Sequence, residues 1–387
     1  MQQFDLIIVG GGLAGASLAV ALRQSRLRIA LVENQPPHRP EGWDARIYAI
    51  SPANAEYLRQ IGVWEHLERE RMAPIQAMEV FGDQGGKLRF SAYETGVAEL
   101  GWIMESSLMA CELWESLKRQ ANVTRFCPAR PASLEFRHDA AVLTLEDGTV
   151  LSGRLLAGAD GRDSWVRRQA GLEAITTPYN EKGLVANFAI EKPHRGIAWQ
   201  WFRDDGVLAY LPLPGKRMSI VWSTPDAHAD ELCALPPQAL AERVAAAGKQ
   251  VLGKLETITP AAAFPLRLIR VPRTVAPRLA LVGDAAHGIH PLSGHGINLG
   301  FQDARVLAEL LAGAQPWQDI GEERFLLRYQ RARKEETVLM QTTTDTLRRL
   351  FRENPPGLAP LRNLGLSLTD KLGPMKSLLV RYALGAL

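Results

Sequence analysis

Three cysteines in 387 residues, Cys111, Cys127 and Cys233, with no C-x-x-C spacing, are too few for a disulfide framework or a cysteine-built zinc site. That scarcity fits a reducing cytoplasm. No run approaches the ~20 apolar residues of a membrane span, and the opening MQQFDLIIVGGG lacks the basic region and cleavage site of a signal peptide. The expectation is a cytoplasmic protein, at most peripheral on the inner face of a membrane. Formal net charge is only +3, and no basic stripe interleaves with aromatics, so nucleic acid is not an expected partner. Internal repeats and low-complexity segments are also missing. What remains is an ordinary globular composition, 46% hydrophobic and 22% charged, over a length that favours two domains.

The segment FDLIIVGGGLAGASLAVALRQSRLRIALVEN predicts an apolar strand, a glycine turn, an alanine-rich helix and a second apolar strand ending at Glu33. Both strands are continuous apolar runs, as in a parallel sheet buried on both faces. The turn contains G-x-G-x-x-G. Gly10 permits the tight turn, Gly12 lets the backbone approach a pyrophosphate, and Gly15 lets helix and strand pack closely; Leu13 and Ala14 open the helix. Free N–H groups and the helix dipole at that N-terminus favour an anion. Glu33 stands where a carboxylate accepts hydrogen bonds from an adenosine ribose. This fingerprint is shared by NAD and FAD proteins, and it does not choose between them.

Further along, DARIYAISPANAEYLRQIGVWEHLE predicts an extended piece and then a helix capped by Ser51, with Pro52 at its first position. LMACELWESLKRQ predicts another helix, and the stretch from Ala132 to Leu156 alternates around an Asp147-Gly148 turn. From 183 to 224 the pattern changes to four strands punctuated by Asp205-Gly206 and Pro214-Gly215, the body of an antiparallel sheet. The chain then returns through PRLALVGDAAH to a helix from about Gly296 to Leu311, so the two domains interleave.

Two further blocks carry chemistry. In LLAGADGRDSWVRRQAG a strand runs into Ala159-Asp160-Gly161, with Ser164 and Arg167 at a helix start. GDAAHGIHPLSGHGINLG, 283 to 300, holds His287, His290 and His295 among glycines. Their spacing, broken by Pro291, places them on no common helical face, so metal is not expected. Satisfied structural histidines are favoured over a base role for His290 or His295. Trp199, Trp201 and Tyr210 are candidate walls of a substrate site, although strand alternation sends neighbours to opposite faces.

The three blocks, in this order, resemble the FAD-dependent aromatic hydroxylases, the para-hydroxybenzoate hydroxylase superfamily. The late block matches through Gly283, Asp284, Ala285, Ala286, His287, Pro291, Gly294, Gly296, Asn298, Gly300 and Asp303. DARIYAIS, LRQIGVW, AYLPLP and AFPLRLIRVPR are similar to segments of the ubiquinone-biosynthesis branch. The resemblance implies an α/β fold: a Rossmann-like FAD-binding domain interleaved with a mostly antiparallel substrate domain, followed by C-terminal helices. The implied partition is FAD-binding pieces at 1–75, 99–175 and 273–345, substrate-domain pieces at 76–98 and 176–272, and a basic helical tail at 346–387.

It also implies roles. Asp284 would meet the flavin ribityl hydroxyls, Asp160 would line the cofactor interior and Arg46 would lie along the flavin beside Glu33. The loop through Pro291 and Gly294 would pass the ring. The helix opening at Gly296, Ile297 and Asn298 would point its N-terminus at the flavin's N1/O2 edge, stabilising negative charge on reduced flavin. The implied reaction is ring hydroxylation of a polyprenylated phenol through a flavin C4a-hydroperoxide, with O2 and either NAD(P)H or a protein electron donor. Pro291 would also touch substrate. A flavin hydroxylase of soluble aromatic acids and a non-catalytic flavin-bound assembly component are the alternatives. Two departures from the family pattern stand out: His295 replaces a customary glutamine, and WIMESS at 102–107 matches a ribityl-contacting segment poorly. In the tail, Met375, Leu378, Leu379 and Tyr382 follow one apolar helical face beside Lys376 and Arg381, which suits either a bilayer surface, alongside other ubiquinone-pathway proteins, or a cover for the core.

Overall fold

The computed structural model describes residues 1–290, 296–352 and 362–363. Among these, three sheets form. The first is built on strand β1 (Gln2–Val9), which pairs in parallel with strand β2 (Ile29–Val32) on one side and with Val150–Gly158 on the other. Leu279–Leu281 and Val123–Phe126 extend it, also in parallel. Alternation within β1 shows why the run is apolar throughout: Leu6 and Ile8 enter one core, Ile7 and Val9 the other. Helix α1 (Leu13–Ala21) and the helices Ser106–Lys118 and Gly296–Ala312 cover the first face. The other face is closed by Ala141–Leu145, by Val166 and by the Ala285–Ala286 turn.

The second sheet has nine strands and is antiparallel except where Ala77–Phe81 joins Ile197–Arg203 in parallel. Its centre is Ile175–Ile190, Arg217–Pro225, Gly206–Leu213 and Ile197–Arg203, with turns at Asp205-Gly206 and Pro214-Gly215 as the sequence predicts. Helices Asp226–Ala234 and Pro237–Ala247 pack on one face. A small sheet of Ile47–Ile50, Gly101–Glu105 and Ala73–Ile75 packs against the other, through Ala198 and Leu213. The predicted caps and turns recur: Ser51 Oγ accepts from the Asn54 N–H ahead of the helix Pro52–Gln60, and Gly148 takes φ +83 in its hairpin. The strands on either side of the excursion at 77–91, Ala73–Ile75 and Gly101–Glu105, pair with each other in the small sheet while the excursion itself joins the nine-stranded sheet, and the chain later returns from that sheet to the parallel one through Leu279–Leu281, so the domains interleave.

A long helix, Glu323–Arg352, crosses both sheets. Its Tyr329 reaches the Leu281 carbonyl, and its Phe351 stacks on Phe202 of the antiparallel sheet at 3.9 Å between ring centroids. Among the described residues no helix is long and apolar enough to cross a membrane. The amphipathic stretch of 375–382 lies outside the described residues.

Candidate active site

The glycine loop is shaped by contacts no side chain could share. Gly10 sits at φ +106, and a Cβ there would overlap the Ala159 carbonyl, so the first and second motifs touch at this point. A Cβ at Gly15 would overlap the Gly10 carbonyl oxygen. At Gly12, by contrast, a Cβ would meet nothing within 4 Å. Gly12 is the N-cap of α1, with no side-chain cap and no acidic residue in the first turn. The first N–H groups of a helix have no intrahelical acceptor, so this open, uncapped N-terminus fits a diphosphate group. Glu33 closes the loop's edge: its carboxylate accepts from the Gly11 N–H at 2.6 Å and from Asn34 N–H at 2.7 Å.

The second motif is held together by its own acid. Asp160 accepts from Ser164 Oγ at 2.5 Å and from Val166 N–H at 2.9 Å, and Ser164 Oγ caps the short helix Trp165–Gln169. Arg167, 6% exposed, donates to the Ala285 carbonyl at 2.8 Å, which ties this block to the third. Burial lowers its pKa, with Asp160 opposing.

The third motif turns on Asp303. This buried carboxylate accepts from Gly283 N–H at 2.9 Å, bonds His287 Nε2 at 2.6 Å and accepts from Arg333 Nε at 2.7 Å. Burial would raise its pKa, but the His287 and Arg333 charges prevail and hold it below the carboxylate range. Burial would likewise push the His287 imidazole down, and the Asp303 charge and hydrogen bond lift it above its ordinary value. Nothing in the motif spacing pointed to Arg333, which comes from the long helix; its i,i+3 ion pair with Glu336 looks like a surface pair in sequence.

Held this way, Gly283 takes φ +64 and Asp284 stays accessible, 3.7 Å from Arg162 of the second motif. Tyr48, packed against the parallel-sheet core, feels the charges of Arg46, Asp284 and Arg162; burial dominates and raises its phenol pKa. Arg46 is exposed, its guanidinium 5.3 Å from the Phe264 ring centroid. Asn298 is 3% exposed and joins the late helix to the DARIYAIS segment: Oδ1 accepts from Ser51 N–H and Asn54 Nδ2, and Nδ2 donates to the Ala49 carbonyl. Gly296 and Ile297 begin that helix, while Pro291, Gly294 and His295 lie outside the described residues.

The structure also places His290 and the three aromatic candidates of the antiparallel sheet. His290 is 1% exposed, 3.3 Å from Glu181 and edge-on to Tyr179, inside a cluster that Arg348 completes. A base needs a path to its proton; the buried ring of His290 has a structural place instead. Trp199, Trp201 and Tyr210 lie on the face of the antiparallel sheet that packs under the two helices 226–247, and Tyr210 donates to the Val244 carbonyl at 2.5 Å. They are core. The opposite face looks towards the parallel-sheet domain, where Asn187 Nδ2 donates to the Asp44 carbonyl at 2.8 Å. On that inward face Val185, Ala209, Leu211 and Val221 remain half-buried between fully buried neighbours.

A glycine cradle at an uncapped helix N-terminus, with the Gly283 turn against Ala14 and Asp284 accessible beside it, defines a dinucleotide-binding protein. The FAD binding domain family matches residues 3–344. Ubiquinone hydroxylase UbiL of Rhodospirillum rubrum is 36% identical over 388 residues, covering 99% of this chain and 90% of the relative. The 3-demethoxyubiquinol 3-hydroxylase of Escherichia coli is 33% identical over 393 residues, covering 99% of each. Among solved structures, p-nitrophenol 4-monooxygenase PnpA from Pseudomonas putida shares the fold with a TM-score of 0.80 at 18% identity, covering 99% of both chains. PqsL from Pseudomonas aeruginosa does so at 0.78 and 24% identity, covering 94% of this chain and 99% of its own. The chain belongs to the FAD binding domain family and, within it, to the ubiquinone-biosynthesis hydroxylases; it is an FAD-dependent aromatic monooxygenase.

Proposed function

We propose that this protein hydroxylates the ring of a polyprenylated phenol intermediate of ubiquinone biosynthesis, at or near a membrane surface where such a substrate dissolves. Full-length likeness to ubiquinone hydroxylases supports the pathway. The observation that carries the substrate class is the inward sheet face: apolar, half-buried side chains on the face that meets the cofactor domain through Asn187 and Asp44, suited to an apolar ring and chain rather than a carboxylate.

The N–H groups at Gly12, Leu13, Ala14 and Gly15 would hold the diphosphate of FAD, with Gly10 giving them room, and Glu33 would accept from the ribose. Asp284 would hold the ribityl chain, with Arg46 alongside, Asp160 behind the second motif's turn, and Gly283 placing Asp284. Pro291 and Gly294 would pass the ring, and Gly296, Ile297 and Asn298 would present a helix N-terminus to it. When bound, FAD would supply the activation of O2, one atom of which is transferred to the ring while the other leaves as water, with NAD(P)H or a protein donor as the source of the two electrons. The protein's own residues hold the ring in place and keep water out. Asp303 acts at one remove, by holding the turn that aims Asp284.

Purified protein should show the absorbance bands of oxidised flavin, and Asp284→Ala should weaken FAD affinity about tenfold, the value of roughly one charge-assisted hydrogen bond. Cells lacking the protein should accumulate a prenylated phenol short of one hydroxyl group, and an unaltered quinone-precursor profile would overturn the proposal.

A further inference from the structure

We propose that Gln200 is the residue that recognises an oxygen substituent on the substrate ring and sets the ring's orientation; this rests on the reading of the inward sheet face as the ring's site. Gln200 lies on the strand Ile197–Arg203 between Trp199 and Trp201, so its side chain points to the opposite face from those two core tryptophans. That is the inward face. In register it heads a row running Gln200, Ala209, Val221 and Val185 across four strands. The last three are half-buried and apolar.

Gln200 itself is 4% exposed, and among the described residues no hydrogen-bond partner reaches its amide. Neither amide atom is sealed off, so the polar end of this otherwise buried side chain meets accessible space; a chain that only needed a filled core would place leucine or methionine here. Its neighbours along the strand explain where it looks. Ala198 is covered by the small sheet's core and Phe202 by Phe351 of the long helix, which leaves Gln200 in the interval between those two closed cores.

A second observation on the same face points the same way. Asn187 and Ser219 are directly opposite each other, and Asn187 directs its N–H to Thr259 Oγ1 and its carbonyl to the Ile258 N–H. The pair is therefore of the non-hydrogen-bonded kind, with side chains close together. Among the described residues Asn187 Oδ1 and Ser219 Oγ are both enclosed without a partner. One strand, carrying Ala209 and Leu211, separates Ser219 from Gln200. Half-buried apolar side chains headed by the accessible Gln200 amide, with the enclosed Asn187–Ser219 pair behind them, match a ring that is apolar in its plane and oxygenated at its edge. Sites that hydrogen-bond a substrate oxygen discriminate strongly against the analogue lacking it, because the protein group is then left unpaired.

The test uses the FAD-loaded protein, with 2-hexylphenol and hexylbenzene as probes, binding being read from perturbation of the flavin absorbance. Wild type should bind the phenol about tenfold more tightly than the hydrocarbon, Gln200→Leu should equalise the two, and Gln200→Asn should restore part of the preference. FAD content and melting temperature should stay unchanged in both variants, which separates positioning from a structural role. In turnover, Gln200→Leu should raise KM and divert reducing equivalents to hydrogen peroxide. Equal phenol preference in wild type and Gln200→Leu would overturn the assignment while leaving the ring site standing. Wild type insensitive to either probe would overturn both. Loss of FAD in Gln200→Leu would show a structural residue and also overturn the proposal.

Discussion

The antiparallel sheet has two faces made by the same strands, and they are finished differently. Outward, Trp199, Trp201, Tyr210, Phe188 and Trp222 interlock under the helices of 226–247 and are at most 9% exposed. Inward, the alternate positions hold Val185, Ala209, Leu211 and Val221, only half-buried, together with three polar side chains, Gln200, Asn187 and Ser219; among the described residues Asn187 Oδ1 and Ser219 Oγ are enclosed without a partner, as Trp222 Nε1 is outward. Large aromatics were used to close a core, and small apolar residues with unpaired polar neighbours were left facing the cofactor domain. Aromatic richness is thus a sign of burial here rather than of binding.

Substitutions on each face should separate stability from activity. The largest effect is expected from Trp201→Ala on the outward face, which should cost about 3–5 kcal/mol by opening a cavity, read as a fall in the urea midpoint. A comparable loss from an inward truncation at Val221 would break the comparison. Tyr210→Phe removes the bond to the Val244 carbonyl, which keeps its helical partner Gly248. It should cost about 1 kcal/mol and leave KM unchanged.

Smaller still is a pH effect from the motif behind Asp284. The outward core has no need of charge, whereas His287 and Asp303 are coupled. His287 is raised in the fold, so its contribution is full below about pH 6.5 and fades as pH climbs through its folded value. Asp303 is depressed, so its contribution is full above about pH 4 and fades as pH falls through its folded value. His287→Gln should therefore flatten the alkaline side of the stability profile, and a wild-type profile indifferent to that substitution would show that the pair adds nothing. Last, Ala209→Leu at a half-buried position of the inward face should change stability by within about 0.5 kcal/mol, yet raise KM for the ring substrate severalfold.

Much of the flavin side was legible in the chain. Gly10 and Gly15 are demanded by backbone contacts that any Cβ would break, and such demands are local enough to read from spacing. Ser51, Pro52 and the Asp147-Gly148 turn were legible for the same reason. Asp303 was visible only as the end of a motif; that it gathers Gly283, His287 and Arg333 depends on a helix whose relevant residue lies 30 positions on. His290 drew notice beside glycines, and its partners Glu181 and Arg348 came from two remote elements.

By itself, then, the sequence determined the βαβ start, the three converging motifs, the family and the interleaving of two sheets, because glycine geometry and hydrophobic period act over short stretches. It also determined that the four strands from 183 to 224 would carry two unlike faces. Which face met the cofactor domain was decided only in three dimensions. The period of a strand is two and has no sign: it separates Trp199 from Gln200, but only the docking of the helices 226–247 on one side and of the small sheet on the other assigns the first to the core and the second to the site.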